Sequence, residues 1–177
     1  MKFKFKTTAM IILCQLAMIP AVGHGRGVYQ SDDAFLAEVF AGQTPQAEIM
    51  WLTDERQAEI KKILGHPYSA RRLRYWGIPG KTAWMLEEIG KEEPITTGIV
   101  VQGGKIILVR ILAYRESRGE EVRHGFFTDQ FKGAGMKTGT DLDRHIDGIS
   151  GATLSVNAVT HLASMALYLH GSSRFAP

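Results

Sequence analysis

The chain has 177 residues, 45% hydrophobic and 22% charged, which are ordinary values for a globular protein and exclude a collagen-like chain, a disordered tail and a disulfide-stapled mini-protein. Its formal charge of +3 reflects 21 bases against 18 acids, and the excess sits at Lys2, Lys4 and Lys6, the only charged residues before position 24. The pI near 9.0 therefore belongs to the N-terminus, and no nucleic-acid partner is expected, because capturing a phosphate backbone needs basic surface on the domain itself.

Those lysines alternate with Phe3 and Phe5 and run into TTAMIILCQLAMIPAV, Thr7 to Val22. A basic start, an apolar stretch and a small-residue exit predict a signal peptide over residues 1–23 and an exported, periplasmic protein. The apolar stretch from Ala9 is 14 residues long, below the roughly 20 that span a bilayer; an uncleaved membrane anchor is the competing reading. Cys14, the sole cysteine, falls inside this stretch, and Leu13 before it is too bulky for a lipidation site. The exported part then has no cysteine, which excludes disulfides, thiolate metal sites, Fe–S clusters and attached c-type haem. About 150 residues remain, the size of one domain. Residues 24–90 form its first part, with helices and the first strands, and residues 91–177 its second.

Ser31-Asp32-Asp33 opens a helix through Phe40, closed at Gly42. Gln46–Leu52 reads as a short strand. Thr53-Asp54-Glu55 starts a second helix, with Ala58, Ile60, Ile63 and Leu64 on its apolar side and Gly65 as its stop. From Tyr68 the period changes: Leu73, Tyr75, Thr82, Trp84, Leu86 and Ile89 fall in alternating stretches. Two β-branched runs, Ile95–Val101 and Ile106–Leu112, flank Gly103-Gly104, a hairpin signal. The middle of the chain is thus an antiparallel sheet of about four strands. Glu120–Phe131 turns helical, with Val122, Phe126, Phe127 and Phe131 apolar, and a glycine-bearing loop follows to Asp147. Ala152–Leu169 is the strongest helix; Ser155, Asn157, Thr160, His161 and Ser164 form a polar stripe opposite its apolar face, which makes it core-facing and not a membrane span. Sheet in the middle with helices at both ends of the chain is an α+β layout in a single domain.

The chemistry concentrates in Asp147-Gly148-Ile149-Ser150-Gly151-Ala152-Thr153, where the loop enters the last helix. Gly148 and Gly151 let the backbone turn sharply and approach a ligand. Ser150 and Thr153 bring hydroxyls to a helix N-terminus, whose free N–H groups and dipole suit an anion, above all a phosphate. The bland alternative is that Ser150 is an ordinary N-cap.

DGISGAT resembles the Asp-x-x-Ser/Thr-Gly-Ala-Thr flavinylation motif of FMN-binding domains, as found in the C subunit of the sodium-translocating NADH:quinone reductase, the Rnf complex G subunit and small exported flavoproteins. The resemblance extends from the Gly103-Gly104 hairpin through YRESRGEEVRHGFFTDQFKG, Tyr114 to Gly133, to the last helix. It implies FMN as cofactor, joined through a phosphodiester to Thr153 by a flavin transferase that uses FAD. Asp147, Gly148, Ser150, Gly151 and Ala152 would be the string the transferase reads. Glu116 and Phe131, in the upstream stretch that resembles the family, are further cofactor-binding candidates. The larger subunits carry Glu-Thr-x-Gly-Leu-Gly where this chain has Glu116-Ser117-Arg118-Gly119-Glu120-Glu121, which argues against close kinship with either complex.

Phe126, Phe127, Phe131, Trp76 and Trp84 offer faces for a flavin ring, although aromatics at such spacing usually build core. His124, His145 and His161 occupy three different elements without metal-ligand spacing, so no metal is expected. Arg71, Arg72 and Arg74 read as the solvated face of a strand. The leading expectation is a carrier of electrons between membrane-side donors, such as a membrane reductase, and an extracytoplasmic acceptor, such as a cytochrome. A flavin-dependent reductase with its own small substrate, using Glu116, Arg118 and His124, is the alternative, and a non-redox module with a capped loop is the third.

Overall fold

The computed structural model describes residues 27–137 and 139–176; the predicted signal peptide lies outside the described residues. Helix α1 (Asp32–Val39) begins where Ser31 Oγ accepts the Ala34 N–H, and α2 (Asp54–Leu64) where Thr53 Oγ1 accepts that of Arg56. Gly65, at φ +83°, ends α2 in the left-handed conformation that glycine adopts without a Cβ penalty. Ile60, Ile63 and Leu64 are buried, but Ala58 is exposed. It stands about 200° around the helix from Ile60, at about 100° per residue, and so cannot share its face.

Strands β1 (Glu48–Trp51), β2 (Arg72–Ile78), β3 (Lys81–Ile89), β4 (Pro94–Gln102) and β5 (Lys105–Tyr114) form one antiparallel sheet in sequential order. There are five strands rather than four because Glu48–Trp51 joins as an edge, paired to Arg72–Tyr75 across the intervening α2. Between paired Gln102 and Lys105, Gly103 and Gly104 make a two-residue turn with φ +57° and +72°. Positive φ at both positions is what the tight hairpin demands, and two glycines supply it. At the end of β3 the inward place falls to Glu88, and Ile89 is 59% exposed. Thr82, Trp84 and Leu86 set the alternation, so the odd-numbered Ile89 falls on the sheet's other face.

The sheet is covered on both faces. On one, α4 (Thr153–Gly171) lies across β3, β4 and β5, with α2 alongside it. On the other, α1 sets Phe35, Leu36 and Phe40 against Ala83, Val100 and Leu112. The α4 surface is buried nearly all round, including the predicted polar positions Ser155 and Ser164, while Leu154 is 51% exposed. Lying between sheet and α2, the helix has little circumference left for solvent. It is fixed at both ends: Ser155 hydrogen-bonds Tyr114 of β5, and His170 Nδ1 lies 2.9 Å from Thr82 Oγ1 of β3. Burial holds the His170 imidazole below its ordinary pKa, hence neutral.

The stretch Glu120–Phe131 is not one helix but three short turns, with His124 extended between the first and second. Val122, Phe127 and Phe131 are all buried. In an unbroken helix Val122 and Phe127 would point about 140° apart; the break at His124 lets both face inward, and Phe126 is left 63% exposed.

Gly98 of β4 lies under Phe35, where an added Cβ would come within 2.7–2.9 Å of three ring carbons. Gly98→Ala is expected to destabilise the fold by about 1–3 kcal/mol through overpacking. A lower denaturant midpoint would register the loss, and Phe35→Leu in the same chain should recover part of it.

Candidate functional site

Ile149–Ala152 closes a turn in which the Ala152 N–H donates to the Ile149 carbonyl at 3.0 Å, and Gly151 takes φ +82°. A Cβ at Gly151 would meet nothing within 4 Å, so the demand for glycine comes from φ and not from crowding. Gly148 has open space and no positive φ; the sharp turn expected there is made at Gly151 alone.

The turn delivers Ala152 as N-cap and Thr153 as the first residue of α4. Ala152 has no side-chain acceptor, and the first intrahelical bond runs from the Val156 N–H to the Ala152 carbonyl. The N–H groups of Thr153, Leu154 and Ser155 thus precede the hydrogen-bonded ladder, at the positive end of a 19-residue helix. The ordinary-cap alternative for Ser150 does not hold: it is exposed, and the helix starts three residues later.

Thr153 opens into a cavity of about 560 Å³. Gly151–Ser155 form one wall; Glu116, Ser117 and Arg118, which follow β5, form another, and Lys91 from the β3–β4 turn completes the lining. A neighbouring hollow of about 390 Å³ shares Ser117, Arg118 and Gly151 and takes in Ser150, Glu120 and Glu121.

Glu116 holds two walls together. Its Oε1 accepts the backbone N–H of Lys91, of Glu92 at 2.7 Å and of Glu93 at 3.1 Å. Gly90 admits this clasp, since a Cβ there would sit 2.9 Å from the same oxygen and 3.0 Å from Ile95. Burial by itself would raise the Glu116 pKa, but the three donors together outweigh it and hold the carboxyl below its ordinary value. Beneath the cavity the Tyr114 phenol donates to the Arg118 carbonyl, and Ser155 Oγ donates to the phenol oxygen at 2.9 Å. Burial raises the Tyr114 pKa and keeps the phenol protonated for this role.

Of the residues singled out in the sequence, Thr153, Ala152, Gly151 and Glu116 meet at the cavity, and Ser150 lines the adjoining hollow. Asp147 and Gly148 are exposed and border neither; the Asp147 N–H donates to Gln130 Oε1 at 2.7 Å, while Gln130 Nε2 donates to the Phe126 carbonyl. Phe131 is fully buried, edge-on to Phe127 in the core, and offers no face to either hollow. Spaced four residues apart, the two rings fill the core together. Trp84 is likewise enclosed, stacked on Tyr75 at 4.6 Å, and Trp76 packs on the α1 side of the sheet. His124 stacks on Phe126 and borders neither hollow. The sequence reading missed Lys91, Leu154, Ser155 and the role of Tyr114. Lys91 sits in an ordinary polar turn far upstream of the motif, and nothing local marks it.

A family model, the FMN-binding domain, matches residues 90–168. The match begins before the Gly103-Gly104 hairpin, at the β3–β4 turn, and so includes Lys91 as well as Glu116 and Thr153. No curated protein matches the chain.

Protonating Glu116 removes an acceptor that exists only in the fold. Its depressed pKa stabilises the clasp above the ordinary glutamate value of 4.5, and that stabilisation is lost as pH falls through the lower folded value. The amide resonances of Lys91, Glu92 and Glu93 are expected to titrate together with a midpoint below 4.5. In Glu116→Gln this common titration should be absent.

Proposed function

We propose that this chain, which belongs through residues 90–168 to the FMN-binding domain family, is an exported flavoprotein that carries electrons with FMN bonded through its phosphate to Thr153 Oγ1. The observation that carries this reading is Thr153 itself: an exposed hydroxyl side chain on the first residue of α4, beside N–H groups no side chain caps, at the edge of the largest hollow described.

The residues present fit a tethered flavin. A phosphodiester keeps one negative charge, and the α4 N-terminus supplies donors and a favourable dipole within the first turn. Leu154, half exposed at the rim, offers apolar surface, while Lys91 and Arg118 supply positive charge. When bound, FMN supplies one- and two-electron transfer; the protein's part is to position and tune it. The exposure of Asp147, Gly148 and Ser150 supports the reading that a second protein, a transferase taking FMN from FAD, recognises this string. The basic and apolar N-terminal segment supports export, and a covalent tether suits a compartment from which a free cofactor would diffuse away.

A carrier is favoured over a reductase with its own small substrate. Such an enzyme needs an acid or base free to act beside the ring. Glu116 Oε1 is engaged by three backbone donors, and His124 lies outside the cavity. The redox partners that follow from this reading are a membrane reductase as donor and an extracytoplasmic protein such as a cytochrome as acceptor.

Protein matured by export alongside a flavin transferase is expected to yield a peptide spanning Thr153 heavier by FMN less one water, and a fluorescent band on a denaturing gel. Thr153→Ala should abolish both signals. An unmodified Thr153 peptide in the parent protein defeats the covalent reading.

A further inference from the structure

We propose that Lys91, held in place by the Glu116 clasp, is the residue that sets the reduction potential of the flavin; the inference rests on the covalent reading above. The cavity beside Thr153 is lined by two cations, Lys91 and Arg118, and by one carboxylate, Glu116. Their surroundings divide the work. Arg118 also lines the neighbouring hollow, together with Gly151 and Ser150 of the turn before the attachment residue and with Glu120 and Glu121. It therefore stands on the side of the motif turn, amid acidic neighbours. Lys91 lines only the larger hollow. Its ion pair with Glu92, 3.2 Å long, joins two side chains about 70% exposed and contributes little. The charge of Glu116 is spread over three N–H donors, one of them from Lys91 itself. The same clasp that quiets the carboxylate fixes the backbone carrying the ammonium.

A ring tethered at Thr153 and lying in this cavity shares it with Lys91. Reduction by two electrons from an external reductant, with uptake of one proton from solvent, adds one negative charge to the ring. An ammonium carried on the cavity wall favours that charge, and covering the lysine with the ring lowers the local dielectric and strengthens the attraction. The position is unusual in that the cation comes from a turn some sixty residues upstream of the attachment site, joined to it only by tertiary contacts.

The test is equilibrium spectroelectrochemistry on flavin-loaded protein, after mass spectrometry has shown the flavin on Thr153. Lys91→Gln should shift the reduction equilibrium toward the oxidised form by about tenfold, about 30 mV for a two-electron couple. Lys91→Arg should stay near the parent value, and raised salt should narrow the gap between Gln variant and parent. Lys137→Gln makes the same change in net charge on an exposed loop at the opposite end of β5 and should leave the potential unchanged. If Lys91→Gln matches the parent, or shifts no more than Lys137→Gln, this inference falls while the attachment reading stands. If Lys91→Gln folds but acquires no flavin, it also falls, since the lysine then serves attachment and not tuning. An unmodified Thr153 in the parent sinks the earlier reading instead.

Discussion

One buried phenol oxygen joins two of the chain segments that line the cavity, the stretch after β5 and the start of α4. Tyr114 ends the last strand, donates to the Arg118 carbonyl and accepts from Ser155 in the first turn of α4. Without that junction the segment carrying Glu116 and the helix carrying Thr153 would share no buried polar contact at the site's floor. Space around the oxygen is correspondingly tight. A Cβ on Gly119 would fall 2.7 Å from it and 3.2 Å from Ser155 Oγ, and Gly119 also holds φ +88°. Glycine there meets two demands at once, one of conformation and one of close approach. A single buried hydrogen bond contributes only about 1 kcal/mol net; its importance here is geometric, because it fixes the separation of two walls.

The site sits at the end of the sheet where β3 finishes, β4 begins and β5 finishes. Loops gather there on a rigid base, the usual arrangement for binding residues. Two acceptors organise these loops. The Tyr114 oxygen holds the lower part, and Glu116 Oε1 gathers the three N–H groups of the β3–β4 turn. At the far end of α4, the Trp84 indole donates to Thr82 Oγ1, which in turn meets His170. The helix that presents Thr153 is thereby tied to the sheet at both ends, so its first turn is a stable platform rather than a frayed terminus.

The charge pattern also follows from the fold. Across the chain beyond the N-terminal lysines the signs balance, yet the cavity gathers two cations against one carboxylate already engaged by backbone donors. An uncapped helix N-terminus adds to the same sign. A phosphate-bearing, electron-accepting group is the kind of ligand that such an excess accommodates.

The local features were legible in the sequence because their causes are local. Ser31 and Thr53 cap helices through bonds to the residue three places on, Gly103-Gly104 makes its turn through its own φ angles, and Gly151 turns the motif into α4 for the same reason. The string around Thr153 was recognisable because its residues are contiguous. What the tertiary structure alone decided was which distant groups meet: β1 with β2 across a helix, Lys91 and Glu116 with Thr153, and Ser155 turned inward to Tyr114 although its neighbours read as a polar stripe. Phe131, a candidate for the flavin, was claimed by the core with Phe127. Helix caps and turns are set by a few adjacent torsions and hydrogen bonds. The composition of a cavity is set by how strands and helices pack, and neighbouring residues in the sequence do not encode that one residue at a time.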